Sequence, residues 1–128
     1  MSPFLVEIRA RCAHNLDLLV RNAIANANVE RTKHRFAHTR KLAVGGGWPS
    51  LIHDLEALRA WDGDIWAINH TADWLAAQGI DATLFCIEPG FFPWKTQRRI
   101  LASQCDPANV TAQTVMFDTC EVSPTGLS

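Results

Sequence analysis

The 128-residue sequence lacks an excess of charge, a long apolar run and a basic leader. Twelve Lys and Arg residues against thirteen Asp and Glu residues leave a formal net charge of -1, which argues against broad electrostatic binding to nucleic acid or an anionic membrane. No apolar stretch approaches the roughly 18 to 20 residues that span a bilayer, and the first residues do not resemble a secretory signal. We therefore expect a cytoplasmic protein that binds neither nucleic acid nor membrane.

Clustered metal ligands and paired cysteines are also missing. Cys86 lies in an apolar run, as expected for a buried, reduced thiol, and His34 and His38 are four residues apart without a third ligand. The cysteines are never at the short spacing of zinc or redox motifs; they are Cys12, Cys86, Cys105 and Cys120. We predict no metal site and no disulfide from this pattern.

What the sequence does contain is the composition of one folded domain, with 48% hydrophobic and 20% charged residues. Ser2-Pro3 is typical of a helix start. An apolar stripe then predicts a helix to about residues 31–34, with a break near Asn15; it consists of Phe4, Ile8, Cys12, Leu16, Leu19, Ala23 and Ala27. We assign residues 1–38 to an N-terminal helical extension and residues 39–128 to a second region.

That second region alternates apolar runs with helical or turn patterns. The predicted strands are 41–44, 64–69, 82–87, 99–103 and 113–117, with helical patterns at 51–58 and 71–78. Such alternation over so few residues requires crossover connections and a parallel sheet, and continuous apolar runs fit strands covered on both faces. The predicted fold class is α/β: a Rossmann-like parallel sheet with flanking helices, preceded by an N-terminal helix.

Three consecutive glycines, Gly45, Gly46 and Gly47, separate the first predicted strand from the next helical pattern. Their amides, uncovered by side chains, could bind a phosphate at the start of the helix. Pro49 suits a first helical turn, and the Ser50 hydroxyl could add a donor. The turn matches neither the Walker loop nor the dinucleotide fingerprint. A tight turn without a ligand accounts for the same residues.

Other polar and aromatic side chains follow the predicted strands, where ligands bind near the switch point of a parallel sheet. Asn69 could hold a ribose, a phosphate or a base edge, or cap the next helix. Glu88 could accept from a ribose or hold magnesium, or be a charged strand terminus. Trp48 and Trp94 could stack on a base, although core packing is simpler. His70 could carry a proton, although a solvent-facing loop residue is simpler.

Three separate pieces of the chain together resemble a known family. They are residues 42–51, with a glycine turn before Pro-Ser-Leu, residues 66–69, and residues 80–89, which end in Glu-Pro. This order resembles the 6-hydroxymethylpterin pyrophosphokinase-like family, long catalogued as a domain of unknown function. That family includes archaeal pterin pyrophosphokinases and bacterial motility-accessory proteins implicated in flagellin glycosylation. A similar order occurs in bacterial sialyltransferases that use a CMP-sugar.

The resemblance implies a transferase of phosphorus-containing or glycosyl groups, which binds a nucleotide or phosphosugar accompanied by Mg²⁺. The residues it implies for binding are Gly45, Gly47, Ser50, Asn69 and Glu88, to which the open glycine turn adds Gly46; no catalytic residue is assigned. Trp48 stands where the family pattern has no residue. A further helix and strand ending in an acidic residue do not follow Pro124, so the domain is expected to be incomplete.

Two other functions would also use this fold. A non-catalytic Rossmann-like scaffold would dock onto a partner or a second copy, because missing elements leave an uncovered sheet edge and face. A NAD-linked dehydrogenase is disfavoured because the third glycine is missing and Asn69 stands where an acidic residue would bind the ribose. A basic cluster is interpreted as a solvated helix end; it contains Arg31, Lys33, Arg35, Arg40 and Lys41.

Overall fold

A computed structural model describes residues 15–32, 40–47 and 50–118. These residues form five strands, β1 (Lys41–Gly45), β2 (Gly63–Ile68), β3 (Thr83–Cys86), β4 (Arg99–Ala102) and β5 (Thr114–Phe117). The helices are α1 (Leu16–Ala25), α2 (Leu55–Arg59) and α3 (Thr71–Ala77), with 3-10 turns at Ser50–Asp54 and Pro107–Asn109. The strands form one all-parallel sheet, so the predicted α/β fold is confirmed.

The strand order is sequential, β1-β2-β3-β4-β5. Each connection therefore steps in the same direction across the sheet, and right-handed connections of this kind lie on one face. A switch point requires the strand order to reverse, and the order of the described strands does not. The prediction of a switch point is therefore wrong for the described strands. The general preference of ligands for the carboxyl ends of parallel strands still applies.

The core lies on the face that the connections cover. Alternate strand residues point to it, and helices α2 and α3 contribute Leu58, Ala72 and Leu75. The strand residues buried there are Ile65, Ala67, Leu84, Cys86, Leu101 and Met116. Leu75 and Leu84 are fully buried, so α3 is held firmly against the centre of the sheet.

The opposite face carries an aromatic ladder. Phe85 stacks on Trp66 with ring centroids 5.9 Å apart, and on Phe117 with centroids 5.4 Å apart. Towards the β1 edge, Val44 keeps 58% and Leu42 44% of its surface exposed. The expectation that both faces are covered is thus not met within the described residues, because the apolar runs supply a core face and a half-exposed aromatic face.

Helix α1 begins where the sequence predicts a break. The Asn15 side-chain oxygen accepts from the N–H groups of Asp17 (2.9 Å) and Leu18 (3.4 Å), which is an N-cap. The predicted start at Ser2-Pro3 lies outside the described residues. The helix ends at Ala25, earlier than the apolar stripe predicts.

The packing face of α1 is polar, which corrects the predicted stripe. Leu16 is 53% exposed, whereas Asn22 and Asn26 are buried. Asn22 Nδ2 donates to the carbonyls of Pro89 (3.3 Å) and Gln104 (2.9 Å). Asn26 Nδ2 donates to Ser103 (3.1 Å) and Cys105 (2.7 Å). The helix therefore docks by satisfying carbonyl groups beyond β3 and β4, an arrangement that hydrophobic periodicity does not reveal.

The long connection between β3 and β4 has no helix, and buried polar groups fix it. Arg99 is 4% exposed, and its guanidinium donates to the carbonyls of Trp94 (2.8 Å), Thr96 (2.8 Å) and Asn109 (2.6 Å). The Asp73 carboxylate accepts from the N–H groups of Lys95 and Thr96, both at 2.8 Å. This connection, residues 87–98, is called the arm below.

Candidate functional site

The sheet register brings two of the predicted binding segments together. Gly45 pairs with Ala67 in the parallel register of β1 and β2, so the glycine turn after β1 and Asn69 after β2 emerge at the same sheet edge. The carboxyl edge of a parallel sheet is where ligands bind in open α/β folds. The candidate site is built at this edge.

The three glycines do not share one role. Gly45 is buried, and a Cβ there would lie 3.7 Å from the Leu51 side chain and 3.8 Å from that of Leu75, so it belongs to the core rather than to a ligand cradle. Gly46 and Gly47 are exposed, and a Cβ on either meets no atom within 4 Å. Among the described residues, no carbonyl accepts from the Gly47 N–H. Only Gly46 and Gly47 therefore offer an open surface.

Ser50 is exposed and begins the 3-10 turn Ser50–Asp54. The α-helix that follows, α2, has five residues. The sequence predicts one continuous helix here, whose dipole would favour an anion; the structure divides it into two short pieces. A dipole needs several aligned peptides, so an anion at this turn would be bound by local N–H and hydroxyl groups.

Asn69 has the left-handed conformation, with φ of 54°, which asparagine adopts more readily than most residues. Its N–H donates to the Phe85 carbonyl (3.0 Å), and its carbonyl accepts from Ala72 (3.3 Å). Its side-chain Oδ1 is buried and has no hydrogen-bond partner among the residues that the structure describes. The capping interpretation is wrong, because the N-cap position of α3 is His70 and no side chain caps it.

A cavity of about 340 Å³ opens between the 3-10 turn and the start of α3, lined by Leu51, His70, Thr71 and Trp74. His70 is exposed, Thr71 is buried, and Trp74 is half-buried. The sequence does not indicate Leu51, Thr71 or Trp74 as site residues. The spacing of Thr71 and Trp74 could have indicated that they share one wall, because residues three apart lie on the same helix face.

No family model, curated protein or solved structure matches the chain. The geometry of the site and the sequence resemblance therefore carry the functional argument, and a fold of this class by itself does not indicate a ligand.

Glu88 lies apart from the cavity wall. It follows β3 by two residues, is half-buried, and its N–H donates to the Cys86 sulfur at 3.2 Å. Within the described ranges, no group of three His, Cys, Asp or Glu side chains could hold a metal ion. Any magnesium would therefore need oxygens from the ligand itself.

The remaining candidate residues from the sequence pack in the core or form ion pairs, or lie outside the described residues. Trp94 stacks on Phe92 with centroids 4.8 Å apart and packs on the core, as the simpler interpretation held. Arg31 lies 3.4 Å from the Asp118 carboxylate, and Arg40 pairs with Asp64. Several other candidates lie outside the described residues; they are Cys12, Lys33, His34, Arg35, His38, Trp48, Pro49 and Cys120. No helix in the described part of the chain is long and apolar enough to cross a membrane.

Proposed function

We propose that the chain binds a nucleotide or nucleotide-sugar at the carboxyl ends of β1 and β2, as a domain of transferase type. The observation that carries this proposal is the buried Oδ1 of Asn69, which has no partner within the described ranges and lies at the same end of the sheet as the open turn at Gly46 and Gly47. Buried polar atoms in native proteins nearly always have a partner, and exceptions call for an explanation. A ligand that supplies an N–H or O–H group is such an explanation.

The chemistry of the cavity supports a ligand with a planar ring. Leu51 and Trp74 provide apolar and aromatic wall, which suits the faces of a base. A volume of about 340 Å³ falls within the roughly 300 to 1,000 Å³ of small-molecule sites. The oxygen of Asn69, which directly precedes the lining residue His70, would accept a hydrogen bond from a ring amine or a ribose hydroxyl.

The phosphate end of such a ligand has a separate set of donors. The N–H groups of Gly46 and Gly47 and the Ser50 hydroxyl would meet its oxygens. Magnesium carried with the nucleotide would neutralise phosphate charge, and transfer would depend on positioning. The His70 imidazole lies in the cavity wall. The transferase class and the cytoplasmic location rest on the sequence.

Isothermal titration with ATP, CTP and CMP, each with and without Mg²⁺, tests the proposal. We expect at least one nucleotide to bind more tightly than millimolar, with affinity reduced about tenfold or more in Gly47→Val and in Asn69→Gly, the loss of about one hydrogen bond. Because the space around Gly47 is open, the Gly47→Val variant should fold, and the branched valine side chain should shield the N–H of residue 47 from the ligand. Asn28→Gly changes an exposed asparagine outside the cavity and should bind as the parent does.

Two results would contradict the proposal. One is binding no tighter than millimolar for all three nucleotides. The other is unchanged binding in Gly47→Val, provided that circular dichroism shows the variant to be folded.

A second candidate function, self-association as a non-catalytic scaffold, is favoured by the half-exposed face of the sheet. Three neighbouring apolar side chains on that face are exposed: Leu42 (44%), Val44 (58%) and Ile68 (38%). A group of exposed apolar side chains, unlike a single one, is typical of an interaction surface. Light scattering should then report dimers or larger species, and a clean monomer at high concentration argues against it. Because both functions can coexist, ligand binding is the discriminating measurement.

A further inference from the structure

Two cysteines that are distant in sequence meet at the carboxyl ends of β3 and β4. Cys86 is the last residue of β3, and Cys105 lies in the turn after β4. Both are free thiols, with 1% and 0% of their surface exposed. The Cys105 thiol donates to the Cys86 carbonyl at 3.4 Å. Sequence spacing gave no sign of this pair, because parallel pairing of adjacent strands creates it.

The surroundings of the pair favour a thiolate on Cys86. Its sulfur accepts from the Glu88 N–H at 3.2 Å. The neighbouring Cys105 thiol lowers the pKa of Cys86, helped by the Glu88 N–H and the charge of Arg99 and opposed by burial and by the Glu88 charge. The neighbouring Cys86 side chain, together with burial, raises the pKa of Cys105. The two thiols are therefore unequal, with Cys86 the better nucleophile, since the thiolate is the reactive form.

The turn that contains Cys105 is held in place independently of the sulfur atoms. The Asn26 side chain donates to the Cys105 carbonyl (2.7 Å) and to that of Ser103 (3.1 Å), and the Cys105 N–H donates to Ala102 (3.0 Å). Helix α1 thus fixes one half of the pair, and the β3–β4 ladder fixes the other. Fixed positions reduce the entropy lost when a bond joins two groups.

We propose that Cys86 and Cys105 form a reversible dithiol–disulfide site that a small peroxide such as hydrogen peroxide oxidises. The Cys86 thiolate attacks a peroxide oxygen, the O–O bond breaks, and the protonated leaving group departs as water, which gives a sulfenic acid on Cys86. The Cys105 sulfur then attacks the Cys86 sulfur; the S–S bond forms, and the sulfenic oxygen leaves as water with the Cys105 proton. Two thiols are oxidised by two electrons, and one peroxide is reduced to two waters.

This site is separate from the nucleotide proposal and does not depend on it. Its substrate is a peroxide. The consequence within the fold is local. The Cys86 sulfur is the acceptor for the Glu88 N–H, so oxidation changes the anchor of Glu88 and the first residues of the arm. The disulfide also links β3 to the turn that α1 holds.

Peptide mapping of the full chain after treatment with hydrogen peroxide tests the site. Remaining thiols are alkylated with N-ethylmaleimide in denaturant, and the digest is analysed without reduction. We expect a Cys86–Cys105 linked peptide that lacks the mass of two hydrogen atoms and is restored to thiols by dithiothreitol. In the folded chain this link should exceed other cysteine pairings about tenfold, an excess that disappears when the chain is oxidised in denaturant.

Two sets of variants make the mapping decisive. The double variant Cys12→Ser/Cys120→Ser keeps the link, whereas Cys86→Ser and Cys105→Ser each abolish it. Recovery of Cys86 and Cys105 as alkylated thiols, under conditions that oxidise Cys12 or Cys120, overturns the proposal. A linked peptide that joins Cys86 to any cysteine other than Cys105 overturns it as well.

Discussion

At the scale of the residue, Asn69 shows how a single side chain can be costly to the fold and useful to a site. Its left-handed backbone and its unpartnered Oδ1 both oppose stability. Residues kept under such conditions often serve binding at the expense of stability. The sequence indicated Asn69 as a candidate because it follows a strand, but neither the backbone conformation nor the missing partner can be derived from a single asparagine.

Replacing Asn69 by glycine should leave stability unchanged or raise it by up to about 1 kcal/mol, since glycine adopts positive φ freely and removes the unpartnered oxygen. Asn69→Ala keeps the strained backbone and should cost about 1 kcal/mol relative to Asn69→Gly. Urea unfolding measures both. A loss of more than about 2 kcal/mol in Asn69→Gly would show that the side chain stabilises the fold rather than a ligand.

Asp73 gives the fold a defined response to acid. Burial raises its pKa, but hydrogen bonds from Lys95 and Thr96 and the charge of Arg99 outweigh burial, so the net pKa is lowered. A carboxylate with a lowered pKa stabilises the fold fully above its ordinary pKa of about 3.9, and this contribution is lost as the pH falls through the folded-state value.

Unfolding in urea from about pH 6 to pH 2 measures this response. The urea midpoint of the wild type should fall as the pH is lowered through the acidic part of the range. The midpoint of Asp73→Asn should be lower than that of the wild type at pH 6 and should fall less steeply with pH. Asp106→Asn is the control, because it changes another carboxylate, one that accepts from the Ala108 N–H at 2.8 Å. An identical acid profile in wild type and Asp73→Asn would show that Asp73 does not anchor the arm through its charge.

At the scale of the element, the strands were predictable and the helices less so. All five strands lie within one residue or two of the apolar runs that predicted them, because burial on at least one face selects β-branched and apolar residues there. The helix after the glycine turn became a 3-10 turn and a five-residue helix. Helix α1 was predicted from its apolar stripe, yet Asn22 and Asn26 dock it.

The docking of α1 can be tested with two asparagines of the same segment. Asn26→Ala should destabilise the fold by about 2 kcal/mol, because the buried carbonyls of Ser103 and Cys105 lose their donor. Asn28 is exposed, and Asn28→Ala should change stability by less than about 0.5 kcal/mol. Thermal or urea unfolding compares them, and equal effects would contradict the polar docking of α1.

The pairing of β1 with β2 depends on one glycine. A Cβ on Gly63 would overlap the Lys41 carbonyl oxygen and lie 3.1 Å from Trp61 Nε1, and Lys41 pairs with Gly63 in the register. We expect Gly63→Ala to cost about 2 kcal/mol or more, since backbone must move. Gly46→Ala, which has open space, should cost little. Equal unfolding midpoints for the two variants would show that the close approach of Gly63 to the Lys41 carbonyl does not stabilise the pairing of β1 with β2.

At the scale of the whole molecule, the parallel sheet followed from the alternation of elements, but its order did not. Local sequence fixes neither which strands are neighbours nor the direction of each crossover, so a switch point was predicted where the order is sequential. The carboxyl edge still brings Gly46, Gly47 and Asn69 together, since all parallel strands end on the same side. The cavity wall from Trp74 and Leu51 depends on how α3 packs, which spacing alone does not give.

The central claim, a nucleotide site at the ends of β1 and β2, is tested most directly by amide and indole NMR shifts on titration with ATP, CTP or CMP and Mg²⁺. The account predicts saturable shifts confined to Gly46, Gly47, Ser50, Asn69 and the Trp74 indole, and their loss in Asn69→Gly. Shifts that are absent for every nucleotide, or that cluster at α1 or β5 instead, would contradict it.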